Sequence, residues 1–248
     1  MRNLFFLLIA VGFGNLAQSQ TRVEKTVAVQ PGQKVEMNFK RPELISIKTW
    51  DQDEIKIVAS VTINNGENDD AFEIRVSDGD QLTISSLIKN FEDLPRKIMI
   101  RYKGEDYFFN TSDRNAPEVR KFREQNGNSY EYMQNGVIME ISLEIMVPKG
   151  ISLDVDAKFG LVEMVGATKE IEINSKFGGI DVSVDQPTSK AMEVRTKFGE
   201  VYSNLDMTFS TRDRYEVGRW VTLEGKGRGT GTSQYFESEF GNVYLRKR

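Results

Sequence analysis

The sequence predicts an all-β protein: a strand-rich N-terminal region running into a C-terminal β-solenoid-like array of about 20 residues per repeat. Two observations lead there. Apolar and polar residues alternate with a period of two through most of the chain, as half-buried strands require, and no comparable stretch keeps a helical period. In addition, a unit containing a charged residue, a phenylalanine and a glycine recurs four times after residue 150.

Taken in chain order, the first element is "MRNLFFLLIAVGFGNLAQSQ". Arg2 supplies a positive end, and Leu4 to Val11 is an apolar run too short for a comfortable membrane span. Ala17 and Ser19 put small residues where a signal peptidase inspects them. Residues 1–19 therefore read as a signal peptide cleaved near Ser19. No second run of membrane length follows, so the mature chain is expected to be exported, either periplasmic or secreted to the extracellular side.

Residues 20–102 form the N-terminal β region. "KVEMNFK" places Val35, Met37 and Phe39 on one face, and "DEIKIVASVTI" does the same with Ile55, Ile57, Ala59, Val61 and Ile63. "AFEIRVS" and "QLTISSLI" repeat the alternation across turn-forming "NNGENDD" and "SDGD".

Residues 103–136 break the pattern with a polar, aromatic insertion in which "PEVRKFREQ" has Pro117 placed to start a short helix. Tyr107, Phe108, Phe109, Tyr130 and Tyr132 are candidate binding residues, because rings give contact area at low entropic cost. The competing reading is that they simply pin the loop to the sheet. From residue 137 the alternation resumes in "VIMEISLEIMVP", and residues 137–248 make up the repeat region.

The repeat becomes visible when Phe159, Phe177, Phe198 and Phe240 are aligned, at separations of 18, 21 and 42 residues. Gly160, Gly178, Gly199 and Gly241 follow the phenylalanine in every copy. Two before it stand Ala157, Ser175, Thr196 and Ser238, and four before it Val155, Ile173, Val194 and Phe236. Three after it come Val162, Ile180, Val201 and Val243.

A strand running straight through the unit points the phenylalanines inward, with Lys158, Lys176 and Lys197 outward and Glu239 in the last copy. Glycine fits a bend or a close approach of two backbones. The lysine column could hold a polyanion, although a solvated face explains it as well. A degenerate fifth copy is expected between Phe198 and Phe240. "GKGRGTG", residues 225–231, lacks the spacing of a phosphate loop and reads as a turn.

Composition narrows the chemistry. The 248 residues include no histidine and no cysteine, which removes Ser-His-Asp triads, thiol catalysis, disulfides and the usual zinc ligands. No cofactor and no metal are expected, and no catalytic residue can be singled out. A formal charge of −4 and a pI near 5.2 argue against nucleic acid as a partner. The remaining enzymatic options are carboxylate pairs or Tyr/Lys/Arg chemistry.

"VPKGISLDVDAKFGLVEMVGATKEIEINSKFGGIDVSV" resembles the bacterial "putative adhesin" family of exported β-solenoid domains of unknown function. The resemblance covers residues 138–245 well and 40–90 loosely. It implies an exported envelope protein without established enzymatic activity, and it carries over no catalytic residues. The first expectation is thus a non-enzymatic adhesin-like binding or scaffold module whose partner is a protein or glycan of the cell envelope. The alternatives are a carbohydrate-active lyase or glycosidase on a β-solenoid, and an accessory subunit of an envelope complex that uses the insertion as its contact.

Overall fold

The structure, a computed structural model, describes residues 20–30, 32–127, 129–166, 168–184, 191–212, 218–227 and 233–248. The expected signal peptide with its expected cleavage at Ser19, most of the "VDQPTSKA" segment and residues 228–231 of "GKGRGTG" lie outside the described residues.

The first half of the chain runs β1 (Thr21–Ala28), β2 (Lys34–Phe39), β3 (Leu44–Trp50), β4 (Glu54–Ile63), β5 (Phe72–Asp78), β6 (Leu82–Ile88), β7 (Lys97–Tyr102), β8 (Glu105–Phe109), α1 (Pro117–Asn126) and β9 (Tyr132–Gly136). The second half runs β10 (Met139–Pro148), β11 (Ser152–Ala157), β12 (Leu161–Val165), β13 (Glu170–Ser175), β14 (Ile180–Val184), β15 (Ala191–Thr196), β16 (Val201–Ser203), β17 (Thr208–Thr211), β18 (Val221–Lys226), β19 (Ser233–Ser238) and β20 (Val243–Lys247). The protein is all-β, and α1 starts at Pro117 as its sequence suggests.

Two open sheets share one core. The first has the order β1-β4-β10-β3-β12-β14-β20-β16, and the second β17-β18-β15-β19-β13-β11-β2-β6-β5. The alternation read from sequence sets their inner faces: Val35, Met37 and Phe39 are fully buried, as are Ile55, Ile57, Ala59, Val61 and Ile63. They meet Val155, Ile173, Val194, Phe236, Val162, Ile180 and Val243 in the same cluster. Burying each such side chain contributes roughly 1.5–3 kcal/mol, so this interior supplies most of the stability.

Each repeat contributes one strand to each sheet. β11, β13, β19 and β15 lie side by side in parallel in the second sheet, and β12, β14, β20 and β16 do so in the first. The spatial order departs from the chain order, because β19 and β20 insert between the pair β13/β14 and the pair β15/β16. No fifth copy occupies the expected interval in the described residues. There β17 and β18 form an antiparallel hairpin that extends the second sheet beyond β15.

A third sheet, in the order β8-β7-β9, begins at Lys97 and so takes in β7, six residues ahead of the insertion boundary read from sequence. It packs with α1 around its own small core of Ile98, Ile100, Val119 and Phe122. Asn64 holds both ends of this excursion. Its Nδ2 donates to the Pro95 carbonyl at 2.9 Å, and its Oδ1 accepts from the Ile138 N–H at 3.0 Å. Asn64 is fully buried with φ of 52°, a left-handed conformation that asparagine tolerates better than most residues.

Candidate functional site

At the corner where the chain passes from the second sheet to the first, each repeat places Lys-Phe-Gly or Glu-Phe-Gly. The strands end at Ala157, Ser175, Thr196 and Ser238, all buried. The next three residues bend in every copy, so the pleat alternation stops before it reaches the ring. The phenylalanines accordingly face outward, against the inward expectation. Phe159, Phe177, Phe198 and Phe240 are 38%, 44%, 50% and 46% exposed.

Lack of interior space is the physical reason. A Cβ on Gly178 would lie 1.7 Å from the Gly160 carbonyl oxygen, one on Gly241 2.1 Å from that of Gly178, and one on Gly199 2.0 Å from that of Gly241. The corner backbones therefore stack directly on one another, and the small residues before them fill what volume remains. Ser238 shows the fit: its hydroxyl donates to the Gly178 carbonyl at 3.0 Å and accepts the Gly241 N–H at 3.0 Å.

Hydrogen bonding continues through the corner. The N–H of Phe177 donates to the Lys158 carbonyl, that of Phe240 to Lys176, and that of Phe198 to Glu239. This ladder holds the rings in a column ordered Phe159, Phe177, Phe240, Phe198, with centroids 5.2, 5.2 and 4.9 Å apart and planes within 17° of parallel. Stacked pairs contribute about 0.5–1.5 kcal/mol each beyond area burial. The column stops at the next corner, where Arg41 lies over Phe91 at 3.9 Å.

Lys158, Lys176 and Lys197 each reach over the ring that follows them, at 5.3–5.4 Å from its centroid. Because of the strand order, Glu239 stands between two of them, 3.7 Å from Lys176 and 3.5 Å from Lys197. The charged column is thus broken by a carboxylate where two like charges would otherwise be neighbours. A second aromatic pair lies past the corner, with Tyr202 and Tyr244 stacked at 5.1 Å. The alignment could have shown it, since both stand four residues after their phenylalanine.

The outer face of the second sheet has a different character. Glu36, Asp154, Glu172, Tyr235 and Glu193 align across five adjacent strands. Four of these side chains, from Asp154 to Glu193, line a groove of about 680 Å³. Burial, and then the Glu172 carboxylate, raise Asp154 above its ordinary range; burial, Glu172 and Glu36 do the same for Asp156. Burial and a hydrogen bond to Glu237 push Tyr235 up to about 12. The face is acidic and repels anions.

The insertion's aromatics divide between the two faces of the small sheet. Tyr107 and Phe109 pack on Phe122, at ring distances of 4.8 and 5.6 Å, and Tyr130 packs against the same core. Phe108 and Tyr132 lie on the opposite face, and Tyr132 remains 41% exposed. Among the described residues, no helix is long and apolar enough to cross a membrane.

No family model matches the chain, and no curated protein matches it. Two solved structures are similar. One is a "putative cell adhesion protein" from Clostridium sporogenes, 12% identical, with 92% of this chain and 100% of that one covered and a TM-score of 0.45. The other is a "putative adhesin" from Bacteroides fragilis, 11% identical, with 93% and 99% covered and a TM-score of 0.23. Both carry the adhesin name that also attaches to the sequence resemblance.

Proposed function

We propose that this protein is an exported, non-enzymatic, adhesin-like binding module of the bacterial cell envelope. In this reading residues 137–248 form a β-solenoid-like array whose contact surface is the phenylalanine column. The supporting observation is the column itself: four large apolar rings, contiguous and exposed, held by parallel strands in one register. Contiguous apolar surface of this kind marks interaction sites.

The rings spend most of their faces on one another, so the strip offers ring edges, which carry partial positive charge, beside the Lys158, Lys176 and Lys197 ammonium groups. Such a strip suits an oxygen-rich partner, a protein or glycan of the envelope. The lack of histidine and cysteine supports a non-enzymatic role.

The test uses the end rings, Phe159 and Phe198, each of which stacks on one neighbouring phenylalanine and so costs least to remove. A glycan array and an envelope-fraction pull-down are probed with the protein and with its F159A/F198A variant. Loss of the captured ligand with the fold intact supports the column as the contact; undiminished capture rejects it. Amino-terminal sequencing of the exported protein tests the location, with Gln20 expected first.

A further inference from the structure

The geometry points to a second binding site, separate from the ring column, for the protonated amine of an amino-sugar residue. It is a cleft of about 280 Å³ between the small three-stranded sheet and the first large sheet. That volume lies at the lower end of small-molecule sites and suits a single sugar ring rather than a folded partner.

One wall comes from the face of the small sheet that turns away from α1. Register places Asp106, Arg101 and Tyr132 in one row across its three strands. Arg101 binds Asp106 through both carboxylate oxygens, at 2.7 and 2.6 Å, and lies 5.1 Å from the centre of the Tyr132 ring. Asp106 is thereby neutralised. Tyr132 is fixed on one side, while its exposed surface is left for the apolar C–H face of a sugar.

The opposite wall carries Glu43 and Glu140. The Glu43 N–H donates to the Ile141 carbonyl at 2.9 Å, which brings the two carboxylates together from strands that pair in parallel. Burial and the nearby Glu140 charge raise Glu43 above its usual range. Neither carboxylate has a hydrogen bond or ion pair among the described residues, and no lysine lines the cleft. The site therefore holds two carboxylates with no cationic partner among the described residues, beside an aromatic ring. That combination attracts an ammonium group and rejects a uronic or sialic acid. Gln134 and Thr62 supply polar groups for ring hydroxyls.

The experiment is calorimetric titration of the protein with a glucosamine trimer, an N-acetylglucosamine trimer and a lysine-rich peptide. The glucosamine trimer is expected to bind, and the N-acetylated one about tenfold more weakly or worse, because acetylation removes the charge. E43Q/E140Q and Y132A should each lose about tenfold with unchanged melting curves, since Glu140 and Tyr132 are exposed and the Glu43 carboxylate makes no hydrogen bond or ion pair among the described residues. Equal affinity for both trimers overturns the site, as does full affinity in E43Q/E140Q. Binding of the peptide alone overturns the sugar assignment, and cleavage of the trimer overturns a site that only binds. Failure of both trimers to bind also overturns it, and leaves the ring column's role standing.

Discussion

The repeat corners and the small insertion sheet use the same residue type in opposite ways. At the corners, Phe159, Phe177, Phe198 and Phe240 stand outside a mostly aliphatic core from two large sheets, in which Phe39, Phe72 and Phe236 are buried. In the insertion, Phe122 is the core, with Tyr102, Tyr107 and Phe109 packed around it. The difference is one of scale. Long parallel pairing lets valines and isoleucines from distant segments meet, so the stack needs few rings inside, chiefly Phe39 and Phe236. A unit of three short strands and one helix has few inward positions and must fill them with large side chains.

Five substitutions, one of them a control, would break or sharpen this contrast. The largest effect is expected from Gly178→Ala, whose added methyl collides with the Gly160 backbone; it should cost more than about 3 kcal/mol by urea melting. Gly79→Ala, where a Cβ meets nothing within 4 Å, is the control and should be close to neutral. Next comes Phe122→Ala, at about 3–5 kcal/mol, with the loss confined to residues 97–136. Hydrogen exchange should then show β7 to β9 opening while the large sheets stay protected. If the whole molecule melts together, the two regions are not energetically distinct.

Phe177→Ala should cost only about 1–3 kcal/mol, because it removes two stacking contacts and little buried area. A larger loss in thermal denaturation would mean that the column is structural first. The smallest change has the opposite sign. Burial and its acidic neighbours raise Asp156, so the folded state carries a penalty above that raised value, and the penalty is relieved as pH falls through it. Asp156→Asn should therefore raise the melting temperature slightly at pH 7, and the gain should shrink in acid. A lower melting temperature would show that the carboxylate makes a favourable contact.

Much of the interior was legible in the sequence. The residues four and two before each phenylalanine are buried in the structure, because alternation holds for as long as a strand lasts. It misled at the phenylalanines for the same reason: Lys158 to Gly160 is a corner, and a period of two has no meaning there. Strand order was hidden too, since β13, β15 and β19 carry interchangeable patterns and only packing decides which pair lies together. The insertion announced itself by composition and by Pro117. "KIMIRY" gave no sign of leaving the main sheet, because Ile98 and Ile100 look like any core strand. The cleft was illegible: Glu43 and Glu140 are brought together by long-range pairing that leaves no local trace.

The insertion of β19 and β20 between strands that precede them in the chain also creates a dependency between distant segments. Within the described strands, β16 pairs with β20 alone, and β15 reaches the stack only through β19. Residues 191–203 precede residues 233–247 in the chain, yet their native pairing with the parallel stack runs through those later residues. The final segment acts as a wedge that joins an early part of the chain to a later one. The β15/β16 pair is thus joined to the rest of the array through a segment that follows it in the chain.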